Sequence, residues 1–134
     1  MPSLKVEHFA CNVSDPAAIA AWYVEHLGMR IVRRNPAPPL IHFLADAAGR
    51  VVMELYSNPV DAIPDYGAMH PIRFHVAFAA PDPDVARAEL VAAGARFVDE
   101  QTLPDGSRLL MLRDPWGLPV QLCKRTTALL PDNA

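Results

Sequence analysis

Four side chains in this sequence have the types and the spacing to hold a divalent cation: His8, Glu54, His75 and Gln121. His8 and His75 stand 67 positions apart (75 − 8), and so do Glu54 and Gln121 (121 − 54). Two neutral imidazoles, one carboxylate and one amide oxygen make a mixed nitrogen–oxygen donor set that suits zinc, nickel, cobalt, manganese or iron alike. Taken singly, each residue has an ordinary explanation: a histidine bonded to main chain, a salt-bridged glutamate, a glutamine cross-linking two strands. Their common spacing is what sets them apart.

That spacing is carried by elements that recur. Strand patterns fall at about 4–13, 29–34, 40–46 and 50–56, with a helix between the first two. Asp15 is placed to cap this helix, Pro16 suits its first position and Gly28 its end, and Ile19, Trp22, Tyr23 and Leu27 form its apolar face. The order then repeats. A strand at about 72–80 leads to Asp82-Pro83 and a second helix that Gly94 ends, followed by strands near 95–101, 107–112 and 118–124. Asp82 lies 67 positions after Asp15 (82 − 15), so the chain reads as an internal duplication. The expected class is α+β, two tandem βαβββ modules in one 134-residue domain. Module one covers about 4–56, a linker 57–71, module two about 72–125, and a short tail 126–134. In the linker, Tyr66, Met69 and His70 are read as packing residues.

Strand parity then places the four side chains. Phe9, Cys11 and Val13 form the helix-packed set of the first strand and leave His8 on the other face. Val51, Met53 and Leu55 do the same for Glu54, Phe74, Val76 and Phe78 for His75, and Leu118, Val120 and Leu122 for Gln121. Each strand is apolar enough to be central in its sheet. A buried glutamate without partners is costly, and a divalent ion would satisfy all four groups together. The same parity nominates His42, Tyr56 and Arg73 as substrate-binding residues, the arginine as a partner for a carboxylate.

Composition narrows the classes. Hydrophobic residues make up 51% of the chain, which excludes a disordered protein, and a net charge of −3 offers no footprint for nucleic acid or an anionic membrane. No apolar run reaches spanning length, and the first residues lack the pattern of a signal peptide. Cys11 and Cys123 lack metal-binding or redox spacing and read as buried thiols. A soluble cytoplasmic protein is expected.

The stretches VEHFACNVSDP around His8, VVMELYS around Glu54, IRFHVAFAAPDP around His75 and DPWGLPVQL around Gln121 resemble the vicinal oxygen chelate superfamily of glyoxalases, bleomycin-resistance proteins and extradiol dioxygenases. The resemblance covers residues 4 to about 125, and DPWGLPVQL is its most specific part. It implies a U-shaped mixed sheet cupping one divalent metal per chain and a homodimer with a small-molecule substrate. Bacterial glyoxalase I is similar at His8, Glu54 and His75 but has a second glutamate where this chain has Gln121. Methylmalonyl-CoA epimerase has the same donor composition with glutamine and glutamate exchanged between the modules. Extradiol dioxygenases and fosfomycin transferases take their carboxylate from the final strand. The resemblance therefore implies a glyoxalase-like lyase or an epimerase/isomerase acting through an enolate, with Glu54 as anionic ligand and base. An iron-dependent ring-cleaving dioxygenase and a non-catalytic drug- or metabolite-binding protein are the alternatives.

Overall fold

The computed structural model describes residues 1–130, so the last four residues of the expected tail lie outside it. The chain divides into two compact units, Met1–Pro64 and Asp65–Ala134, and the division falls inside the expected linker. Each unit is one β-sheet of four strands with one helix.

In the first unit the elements are β1 (Phe9–Asn12), α1 (Pro16–Leu27), β2 (Arg30–Arg34), β3 (His42–Ala45) and β4 (Val52–Tyr56). The helix begins where the sequence puts it: the Asp15 carboxylate accepts from the Ala18 N–H at 3.1 Å, and Pro16 occupies the first turn. It ends at Gly28, whose left-handed φ of 67° costs a residue without a side chain nothing. Ile19, Ala20, Trp22 and Tyr23 are its buried face. They pack on a sheet side made of Cys11, Val13, Leu44, Met53 and Leu55, all buried. The strand order is β1-β4-β3-β2, with β1 parallel to β4 and the other pairs antiparallel. At the margin, β2 is exposed along its length, and Arg30, Arg33 and Arg34 give it the charge that discourages pairing with foreign strands.

The second unit repeats this plan. Its elements are β5 (Val76–Ala79), α2 (Pro83–Ala92), β6 (Arg96–Thr102), β7 (Arg108–Arg113) and β8 (Pro119–Lys124), in the order β5-β8-β7-β6 with β5 parallel to β8. Asp82 caps α2 through the Val85 N–H at 3.2 Å, and Pro83 sits in its first turn. Leu90 of the helix, Leu110 and Leu112 of β7, and Val120 and Leu122 of β8 are buried. On the surface Arg108 of β7 bonds both Asp84 of α2 and Glu100 of β6 at 2.8–3.0 Å, and Arg87 lies 3.4 Å over the Phe97 ring. The duplicated α+β plan is as expected. Two details differ. The histidine-bearing segments lead into marginal strands of their sheets, β1 and β5, whereas β4 and β8, which carry Glu54 and Gln121, are flanked on both sides. Among the described residues, no helix is long and apolar enough to cross a membrane.

Candidate functional site

In the first unit, two of the four candidate ligands stand together. Glu54 projects from the centre of β4 between the fully buried Met53 and Leu55, hence on the sheet face away from α1. Ala10 is its register partner on β1 and Phe43 on β3, so these share its face. His8, just ahead of β1 and two residues before Ala10, brings Nε2 to 3.6 Å from Glu54 Oε1. The Phe43 ring meets the His8 ring edge-on at 5.6 Å. On its other side, His8 Nδ1 donates to Glu7 Oε1 at 2.9 Å. With the proton on Nδ1, the lone pair lies on Nε2, facing Glu54. A carboxylate behind a histidine in this way is the usual support of a metal-ligating imidazole. Tyr56, two residues beyond Glu54, continues the same face opposite Asn12, as expected.

The second unit reproduces this register. Gln121 pairs with Ala77 of β5 as Glu54 pairs with Ala10, and His75 precedes Ala77 by two residues as His8 precedes Ala10. His75 Nδ1 lies 3.0 Å from the Pro71 carbonyl, which can only accept, so here too the lone pair is on Nε2. Gln121 is half-buried, flanked by Met111, and its Oε1 accepts from the Cys123 thiol at 3.3 Å. Burial pushes the Cys123 thiol up, outweighing the nearby Arg125 charge, and so keeps it a donor. A cavity of about 400 Å³ opens beside this face, lined by Ala77, Ala79, Pro81, Cys123 and Leu129 with Lys124 and Arg125 at hand.

Two expected substrate contacts are corrected. His42 pairs with the buried Leu55, not with Glu54, so it is on the helix-packed face, where it is 7% exposed. Its Nδ1 is bonded to the Leu40 carbonyl at 2.8 Å. Arg73 does not share a strand with His75. A turn closed by the Arg73 N–H and the His70 carbonyl, 3.0 Å apart, takes up these residues, and β5 starts only at Val76. Glu7, Phe43 and the Pro71 carbonyl were not singled out from the sequence, and Cys123 only as a buried thiol. Only Glu7, an acid adjacent to the candidate histidine, carried a signal there.

As a test of the implied metal, the donors present are the right ones: two imidazoles whose Nδ1–H groups are already engaged, a half-buried carboxylate and an amide oxygen with a spare lone pair. Among the described residues, neither unit by itself assembles three histidine, cysteine, aspartate or glutamate side chains into a metal centre.

Comparison with known proteins agrees with this plan. The family model described as a glyoxalase-like domain matches residues 8–123. No curated protein matches the chain. Among solved structures, a glyoxalase family protein from Enterococcus faecalis is similar at 27% identity and a TM-score of 0.68, covering 90% of this chain and 97% of its own. The antibiotic-binding protein TnmS3 from Streptomyces sp. CB03234 is similar in fold, at 22% identity and a TM-score of 0.70, covering 91% and 96%. So is a lactoylglutathione lyase from Agrobacterium tumefaciens, at 24% identity and a TM-score of 0.65, covering 91% and 94%. With two repeats of one sheet plan and a family match from His8 to Cys123, the chain belongs to the glyoxalase-like domain family.

Proposed function

We propose that this protein is a divalent-metal-dependent enzyme that acts on a small oxygen-rich substrate as a glyoxalase-like lyase or an epimerase/isomerase. The donors would be His8, Glu54, His75 and Gln121, the protein a cytoplasmic homodimer. The observation that carries this reading is the His8–Glu54 pair, whose Nε2 and Oε1 are 3.6 Å apart while Glu7 holds Nδ1 from behind. An imidazole and a carboxylate so arranged offer one nitrogen and one oxygen lone pair to a common point. When bound, a divalent ion supplies a Lewis-acidic centre that polarises a carbonyl oxygen.

The chain's own residues do the rest. Glu54 is the only anion among the four, so with a neutral Gln121 the donor set leaves a doubly charged ion with a net local charge near +1. Glu54, whose side chain is 15% exposed, takes a proton from the carbon next to the substrate carbonyl at a carboxylate oxygen and returns it. Tyr56, on the same face, is a hydroxyl donor for a second substrate oxygen. Iron-dependent ring cleavage is the less supported chemistry, since relatives with that activity carry their carboxylate on the last strand, where this chain has Gln121.

A non-catalytic binder is the second reading, favoured by the largely apolar cavity beside β5 and by the similarity to an antibiotic-binding protein. Proton exchange separates the two. Metal-loaded protein incubated in deuterated water with a panel of α-hydroxy and α-keto carbonyl compounds is expected to place deuterium at the exchangeable carbon of at least one, and Glu54→Gln to abolish this. Saturable ligand binding with no exchange across the panel would favour the binder.

A further inference from the structure

Arg113, the last residue of β7, is 8% exposed and spends its guanidinium on three main-chain carbonyls. Nη1 donates to Tyr66 at 2.7 Å and to Gly117 at 3.1 Å, and Nη2 to Met69 at 2.6 Å. Tyr66 and Met69 are the two ends of one 3₁₀ turn, Tyr66–Ala68 with Met69 as its cap, which Asp65 closes at the front. One arginine therefore holds both ends of this turn and fastens it to the DPWG turn between β7 and β8. The two turns also touch main chain to main chain. A Cβ added at Gly117 would stand 2.7 Å from the Cα and N of Gly67, and its φ of +92° is itself a glycine conformation. Asp114 fixes the other side of this seat by accepting from the Trp116 and Leu118 N–H groups, each at 2.9 Å.

Two residues beyond the clamped Met69 is Pro71, buried and with φ fixed by its ring, and it is the Pro71 carbonyl that receives His75 Nδ1–H. A free neutral histidine side chain favours the opposite tautomer, with the proton on Nε2. From this succession of contacts we propose that Arg113, with the Gly117–Gly67 contact, is a positioning residue for His75: it fixes the Pro71 carbonyl, and through it the tautomer and orientation that leave Nε2 free to ligate. The proposal rests on reading His75 as a donor to metal, but its physical content concerns the metal-free chain. It also accounts for a buried guanidinium engaged with carbonyls of a segment that makes no strand or α-helix.

The test is the tautomer itself. In ¹⁵N-labelled, metal-free protein at about two pH units above the ordinary imidazole value of about 6.5, two-bond nitrogen–proton correlations report which ring nitrogen is protonated. In the wild type His75 is expected as the Nδ1–H form. Arg113→Gln and Gly117→Ala, which loosen the same turn from opposite sides, are expected to move His75 toward the Nε2–H form. His42, bonded to the Leu40 carbonyl in the other unit, stays Nδ1–H and serves as the internal control. Arg113→Lys, able to reach fewer carbonyls, falls between. Cobalt(II) binding is expected to weaken by about tenfold or more in Arg113→Gln. A His75 that remains fully Nδ1–H in both folded variants would overturn the positioning role. A wild type that binds no cobalt, with the tautomer still shifting in the variants, would instead remove the metal reading and leave the positioning role standing.

Discussion

Glu54 is the residue on which the proposed chemistry turns, because it is the only anionic side chain among the four proposed donors and the proposed base. Glu54→Gln keeps the size and the oxygen donor but removes basicity. Proton exchange is expected to fall by at least about 10²-fold, the usual share of a general base, while thermal stability stays close to that of the wild type. Full exchange activity in this variant would remove Glu54 as the base. At this scale the sequence was partly transparent. The faces of Glu54 and Gln121 follow from strand parity, since Met53 and Leu55, and Val120 and Leu122, are unambiguous core neighbours. His42 was misplaced by the same reasoning because Ile41 and Phe43 look like core on either side of it. In the structure Leu44 and His42 are the buried pair, and a main-chain carbonyl satisfies the imidazole. Arg73 was misplaced because the turn bond from Arg73 to His70, and with it the late start of β5, leaves no mark that strand propensity detects.

The elements show where stability resides. Leu122 is 2% exposed at the centre of the second sheet, and Leu122→Ala is expected to lower the unfolding free energy by about 2–5 kcal/mol in urea titrations. The capping aspartates are a milder case: Asp15→Ala and Asp82→Ala are each expected to cost about 1 kcal/mol through loss of the N-terminal bond. The surface cluster on Arg108 gives a pH dependence. Its hydrogen bonds, and then its charge, hold the carboxyls of Asp84 and Glu100 below their ordinary values. A carboxyl depressed in the folded state contributes stability above its unfolded pKa, about 3.9 for aspartate and 4.3 for glutamate, and loses it as pH falls through the lower folded value. Stability is thus expected to decline below about pH 4, and Arg108→Gln to flatten that decline in melts recorded from pH 6 to 2. Caps and strand positions were legible because Asp-Pro, glycine and alternation are local signals. The order β1-β4-β3-β2 was not, because pairing is decided by contacts distant in sequence, and so strands judged central by composition stand at the sheet margins.

For the whole molecule, the duplication is the organising fact. The two units share strand order, the direction of every strand pair and the register that sets Ala10 against Glu54 and Ala77 against Gln121. That the two units share one plan and one facing could be read from the 67-residue repeat, though the pairing itself could not. The assembly could not, since nothing local in a sequence records a partner. A homodimer is expected by family resemblance, and sedimentation equilibrium should return about twice the chain mass. The central claim is that His8, Glu54, His75 and Gln121 give this chain a divalent ion. Its most direct test is the metal content of the purified and reconstituted protein by mass spectrometry, beside His8→Ala and His75→Ala. The account predicts one ion per chain in the wild type, lost in both variants. No ion in the wild type after reconstitution, or an ion retained when either histidine is removed, would contradict it.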